Sequence, residues 1–254
     1  MKQYMHWWRS LAAPLLLIAL WEGWTRLGGV DAVFLPPPST VLRTFWRLSA
    51  SGELWHHLAS SMTRVAMGYA LAGFLGISTG LLLGSSRRLA AYIDPLIEVF
   101  RPVSPISIIP LAILWFGIGE QSKVFLIAYA TFFPVLLGTI AGVRNADKVL
   151  SRAAAALGAS DFYIIRTVII PSAIPYIYTA LRISMGIALI VIVSAEMVAA
   201  DQGIGWFILD SERVYKTDYM LAGIVTISLT ALVVDQCLKV LRDKLLPWWR
   251  EGGQ

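Results

Sequence analysis

The chain has 254 residues, 57% hydrophobic and 15% charged, with a formal net charge of +5 and a mean hydropathy of +0.68. The apolar residues run in long blocks rather than at the spacing of one helix face, which excludes a soluble globular domain and describes an all-α, polytopic membrane bundle. A single cysteine, Cys237, excludes a disulfide framework and a thiolate metal site, and basic inner loops account for the net charge without a nucleic-acid partner.

In chain order, Lys2 and Arg9 precede the apolar Leu11 to Leu20 in the manner of a signal peptide. Trp21, Glu22 and Trp24 follow in place of a small-residue cleavage site, so this segment is read as an uncleaved anchor helix. Phe34-Leu35-Pro36-Pro37-Pro38 is a stiff extended linker. Ser39 or Thr40 is then expected to cap an amphipathic helix carrying Val41, Leu42, Phe45, Trp46 and Leu48 on the outer membrane surface. The bilayer core requires about twenty mostly apolar residues per helix. Six segments qualify: Leu11 to Leu27, Val65 to Leu83, Ala91 to Phe116, Val124 to Val143, Ile174 to Ala199 and Met220 to Leu241. An even number of spans puts both termini on one side. With the N-terminus inside, twelve Lys and Arg fall in inner segments and seven outside, Arg64 and Lys123 among the latter, so both termini are expected in the cytoplasm. The division is an anchor helix and outer arm (1–54), a transmembrane domain (55–241) with a cytoplasmic loop near 144–172, and a cytoplasmic tail (242–254).

Within the second span, Gly68, Ala72, Gly76, Gly80 and Gly84 put a small residue at every fourth position, a ridge that lets another backbone approach closely in lipid. The third span reads Arg101-Pro102-Val103-Ser104-Pro105-Ile106-Ser107-Ile108-Ile109-Pro110, and its prolines remove amide donors and open the helix ladder. Irregular backbone at membrane depth is tolerated where protein buries it or a watery cavity meets it. Two readings stand: Arg101, Ser104 and Ser107 offer charge and hydroxyls to a passing oxyanion, or Arg101 sits at headgroup level beside a kinked, packed helix. In the fifth span Arg182 and Glu196 are fourteen residues apart, about 21 Å along a helix and within roughly 40° around it. Such charges seldom face lipid; the pair either serves the pathway or is structural, with Glu196 held by a basic partner or shaping an outer gate. Outside, Gly203-Ile204-Gly205-Trp206-Phe207 suggests a tight turn into an interfacial helix, followed by the carboxylates Asp210, Glu212 and Asp218. No nucleophile or metal ligands accompany them, so no catalytic site is expected; two readings stand for this segment, docking of a delivery protein or a plain solvated loop. His6, His56 and His57, in terminal or loop contexts, lack carboxylates at ligand spacing, so no metal site is expected.

Between the fourth and fifth spans lies Arg152-Ala153-Ala154-Ala155-Ala156-Leu157-Gly158-Ala159-Ser160, with Pro171 thirteen positions after Gly158. Small alanines let a helix lie close to a partner, Gly158 permits a tight turn, and Pro171 is expected to end the second helix before the next span. This arrangement resembles the EAA loop of membrane subunits of bacterial ABC importers. The likeness extends to Phe34-Leu35-Pro36-Pro37-Pro38, Arg101-Pro102-Val103-Ser104-Pro105, Ile109-Pro110-Leu111-Ala112-Ile113-Leu114-Trp115-Phe116-Gly117-Ile118-Gly119, Ala195-Glu196-Met197, Thr217-Asp218 and Pro247-Trp248. In content and order these are similar to the branch importing nitrate, taurine, alkanesulfonates or bicarbonate. The resemblance implies a type I importer permease of the bacterial inner membrane, working with a second, identical permease subunit, two ATPase subunits and an extracytoplasmic binding protein. It also implies that Arg152, Ala153, Ala154, Leu157, Gly158, Ala159, Ser160 and Pro171 form the ATPase-coupling loop. No Gly-x-x-x-x-Gly-Lys-Ser/Thr loop occurs, so ATP and Mg are expected on the partner ATPase and no cofactor on this chain. Arg152 stands where the family has its leading glutamate, and any ion pair made by that glutamate is missing. A thiamine-precursor-like heterocycle or other organic solute is the alternative substrate; a stand-alone secondary transporter would leave the loop unexplained.

Overall fold

The computed structural model describes residues 2–245, and side chains from residue 12 to 244. The side chains of Lys2, His6, Arg9 and Arg250, and the Pro247-Trp248 motif, lie outside the described residues. The described chain is helical: α1 Lys2–Arg26, α2 Pro38–Ser51, α3 Glu53–Ser85, α4 Arg87–Phe100, a 3-10 turn Pro105–Ile108, α5 Ile109–Phe116, α6 Glu120–Arg144, α7 Lys148–Ala156, α8 Asp161–Ile164, a π turn Ile165–Ile169, α9 Ile170–Ala199, α10 Ile204–Arg213 and α11 Thr217–Leu245. Among the described residues, four helices are long and apolar enough to cross a membrane: Glu53–Ser85, Glu120–Arg144, Asp161–Ala199 and Thr217–Lys244. They carry the second, fourth, fifth and sixth predicted spans, and α1 carries the first. The third is not one helix. Its halves, Arg87–Phe100 and Pro105–Phe116, are bent by 81° at a break over Arg101–Ser104, because Pro102 and Pro105 cannot donate amide protons across it. Tyr129 Oη donates to the Phe100 carbonyl at 2.8 Å, satisfying one acceptor that the broken ladder exposes.

The chain forms two compact units, one from Met1–Ser60 with Asp201–Ser228, the other from Ser61–Ala200 with Leu229–Gln254. In the first, the expected cap of α2 is different. Pro37 stands at the N-cap with Pro38 inside the first turn, and Glu22 of α1 takes both the Ser39 amide (3.0 Å) and its hydroxyl (2.8 Å). A carboxylate from another helix thereby satisfies an orphan donor. Leu48, Leu54, Phe207 and Ala222 form the unit's core, and Thr44 donates to Asp218 at 2.6 Å. His56 and His57 lie inside α3 rather than in a loop; His57 is buried and its Nδ1 accepts the Gly203 amide at 3.2 Å, just ahead of α10.

The second unit is built around α6. The small-residue ridge of α3 packs against it as expected: a Cβ at Gly80 would meet Thr139 Cβ at 2.5 Å, one at Gly84 would meet Val143 Cβ at 2.6 Å, and one at Gly68 would meet Ile127 Cβ at 2.7 Å. On another face of α6, a Cβ at Gly138 would overlap Ala180 Cβ of α9. Close approach on two faces gives van der Waals contact where lipid supplies no hydrophobic drive between helices.

Candidate functional site

The Ala-rich loop folds as a helix-turn-helix with every end closed. Asp147 accepts the amides of Val149 (2.7 Å) and Leu150 (3.4 Å) to start α7. At its end Gly158 adopts φ +83°, the Gly158 amide reaches Ala155 O and the Ala159 amide reaches Ala154 O, both at 3.0 Å. This is a Schellman closure, which places a left-handed residue at the Gly158 position. Ser160 then accepts the Tyr163 amide at 3.3 Å to start α8. Arg152, Ala153 and Ser160 are exposed, with Ala154 and Ala159 half-buried. Leu157 at the turn is 89% exposed, and Val149, Leu150, Phe162 and Tyr163 are exposed beside it. Five large apolar side chains on one short loop form the kind of patch that meets a partner.

Pro171 does not end a helix. The run from Asp161 to Ala199 is continuous, and the residues just before the proline widen into a π turn, the Ile170 amide bonding Ile165 O five residues back. The extra residue in that turn accommodates a proline that has no amide to give and whose ring would crowd the preceding turn.

Arg101, Ser104 and Ser107 are all exposed around the break between α4 and α5. Arg182 and Glu196 hold different partners. Arg182 Nε and Nη2 hold Asp235 of α11 at 2.6 and 3.3 Å, and Lys239 Nζ joins the same carboxylate at 2.7 Å. Glu196, fully buried, takes Arg64 Nη1 at 2.6 Å and the Ser61 hydroxyl at 2.8 Å. The remaining edge of the Arg64 guanidinium, Nε and Nη2, grips Glu120 at 2.5 and 2.7 Å, and Lys123 Nζ lies 3.9 Å from that carboxylate. Arg64 and Lys123, counted above among the charges of the outer segments, are buried in this unit. A basic partner for Glu196 is therefore present, while Arg64, Glu120 and Asp235 are functional candidates that the pattern of residues did not single out. The only signal pointing to Arg64 was the requirement of a buried carboxylate for a cation.

Two cavities lie in the same unit. One, of ≈ 500 Å³, is bounded by Pro134, Gly138, Pro175, Tyr176, Thr179 and Ile183 of α6 and α9; the other, of ≈ 430 Å³, is lined by apolar residues of α3, α4 and α6. Among the described residues, no group of three or more His, Cys, Asp and Glu is placed to hold a metal ion.

Residues 72–247 match the family described as "Binding-protein-dependent transport system inner membrane component". The chain is 37% identical over 247 residues to the taurine transport system permease protein of Escherichia coli (strain K12), covering 95% of this chain and 90% of that protein. It is 38% identical over 242 residues to the putative aliphatic sulfonates transport permease protein of Bacillus subtilis (strain 168), covering 95% and 88%. To the bicarbonate transport system permease protein of Synechococcus elongatus it is 32% identical over 246 residues, covering 93% and 88%. Among solved structures, an amino acid ABC transporter superposes with a TM-score of 0.59 at 17% identity, over 80% of this chain and 97% of that one, a likeness of fold.

Proposed function

The chain belongs to the family of binding-protein-dependent transport system inner membrane components, and from that membership we propose that it forms the translocation pathway of an ATP-driven importer for a small oxyanion. Sulfonates such as taurine are the favoured class, with nitrate and bicarbonate the near alternatives. The observation that carries the reading is end-to-end similarity to permeases named for taurine and aliphatic sulfonates. In this reading the subunit is not an enzyme. The exposed Leu157–Gly158 turn seats in a separate ATPase chain, where ATP and Mg act, and closure of the ATPases drags the loop and re-aims the cavity. Two copies of the permease and two ATPases form the assembly, an extracytoplasmic binding protein delivers the anion, and both termini face the cytoplasm of a bacterial inner membrane. Arg152, Ala153, Ala154, Ala159 and Ser160 complete the coupling surface, and the π turn ahead of Pro171 links it to α9. The break bearing Arg101, Ser104 and Ser107 meets the pathway, with Arg182 contributing positive potential through its shared site with Lys239. The test is to purify the complex from its native membrane, isolate the binding protein, and titrate it calorimetrically with taurine, methanesulfonate, nitrate and bicarbonate. Binding of one of these anions is expected; binding of a heterocycle or cation, and none of the four, contradicts the reading.

A further inference from the structure

We propose that Arg64 and Lys123 form an anion-binding site in which Glu120 serves as an internal stand-in for the transported oxyanion. This deepens the small-oxyanion reading above and rests on it. The Arg64 guanidinium is 0% exposed, and one of its edges is committed to Glu196, also 0% exposed, which receives the Ser61 hydroxyl as well. That side of the network is closed. The opposite edge directs two donors side by side at Glu120. The Glu120 side chain is 51% exposed, whereas Lys123, near the same carboxylate, is buried. The outermost member of the cluster is therefore the anion, held over two buried cations.

Any group with two oxygens on one atom fits a side-on guanidinium fork, so carboxylate, sulfonate and bicarbonate share this geometry. Arg64 and Lys123 are buried cations beside Glu120, and buried charge is tolerated when paired. Glu120 offers its carboxylate to the Arg64 fork from the first turn of α6. The loop before it turns at Gly117, with φ +77°, a conformation that suits glycine. Swinging Glu120 outward as an oxyanion enters exchanges one anion for another on the Arg64 fork. A cationic or neutral solute cannot make that exchange, which places anion selectivity in the same residues.

The test uses the purified permease–ATPase complex without its binding protein, with methanesulfonate as the probe in equilibrium dialysis. Glu120→Gln keeps the shape and removes the competing charge; at least tenfold tighter methanesulfonate binding is expected, with no gain for choline. Adding Lys123→Met should abolish the gain. Glu120→Asp, which keeps the charge on a shorter arm, should fall between wild type and Glu120→Gln and reads the same property if the glutamine variant assembles poorly. Unchanged affinity in the assembled variants, or a gain that persists with Lys123→Met, overturns the proposal. Uptake by the wild-type complex with its binding protein separates the two claims. Sulfonate uptake with unchanged Glu120→Gln binding removes the site and leaves the function, whereas tighter binding without uptake of any oxyanion keeps the site and removes the function.

Discussion

A carboxylate in the apolar stretch of α9 demands a cation, and Arg64 answers from 132 residues earlier in the chain. Removing one member of a buried pair costs about 3–5 kcal/mol, and here the fully buried guanidinium would keep only the half-exposed Glu120 of its two named carboxylates. Glu196→Gln is therefore expected to lower the melting temperature of the detergent-solubilised permease sharply and to reduce its amount in the membrane. A normal melting temperature would show that Arg64 does not need Glu196 beside Glu120. Arg213, exposed at the end of α10, offers the contrast. Arg101→Gln is expected to depress the initial rate of uptake at equal membrane abundance, and Arg213→Gln to leave it near wild type because water screens that charge. Equal rates in the two variants would remove Arg101 from the pathway. The need of Glu196 for a basic partner was legible in the sequence. Which residue answers was not, because pairing across α3, α6 and α9 depends on packing register and not on any local spacing. The helical separation of Arg182 and Glu196 could not show their partners for the same reason: Asp235 and Arg64 approach from other helices.

Elements were more legible than contacts. The glycine ridge of α3 follows from four-residue spacing alone, and the structure lays it on α6 with no room for a Cβ at Gly80. Gly80→Leu is expected to block accumulation of the folded permease, since overpacking costs about 1–3 kcal/mol where neighbours can shift and here the Leu136 carbonyl also stands 3.0 Å from the added atom. Recovery by Thr139→Gly in the same chain would locate the clash; normal accumulation of Gly80→Leu alone would contradict the packing. The turn at Gly158 was equally readable, because a glycine that closes an alanine helix before a serine cap has few other uses. Gly158→Val places a β-branched residue at φ > 0, a genuine outlier, and is expected to leave the permease in the membrane while abolishing coupled ATP hydrolysis. Coupled hydrolysis at the normal rate would free the loop from that role. Pro171 shows where the reasoning stopped: a proline predicts a helix end, but one wider turn lets the helix pass through it, and no residue type marks that choice.

At the scale of the whole chain, hydropathy placed the second, fourth, fifth and sixth of six predicted spans on helices that are long and apolar enough to cross a membrane, while the 81° break in the third, at Pro102 and Pro105, exceeds a kink. The pairing of Asp201–Ser228 with the first sixty residues was not legible, since it joins segments far apart in sequence through contacts such as Thr44 with Asp218. Both termini inside is the orientation proposed from the balance of basic residues. In a Cys237→Ser background, which removes the exposed native thiol, a cysteine replacing Ser51 should react with an impermeant maleimide applied outside and one replacing Asn145 should not. The reverse pattern would put the Ala-rich loop on the wrong side. Coupling through that loop is the central claim, and cross-linking from its most exposed apolar residue tests it most directly. With Leu157→Cys in the same background, a short bifunctional thiol reagent applied to inverted membranes is expected to yield one adduct, to a chain carrying a Gly-x-x-x-x-Gly-Lys-Ser/Thr loop, and ATP should change its yield. An adduct only to other membrane chains, or none, would contradict the account.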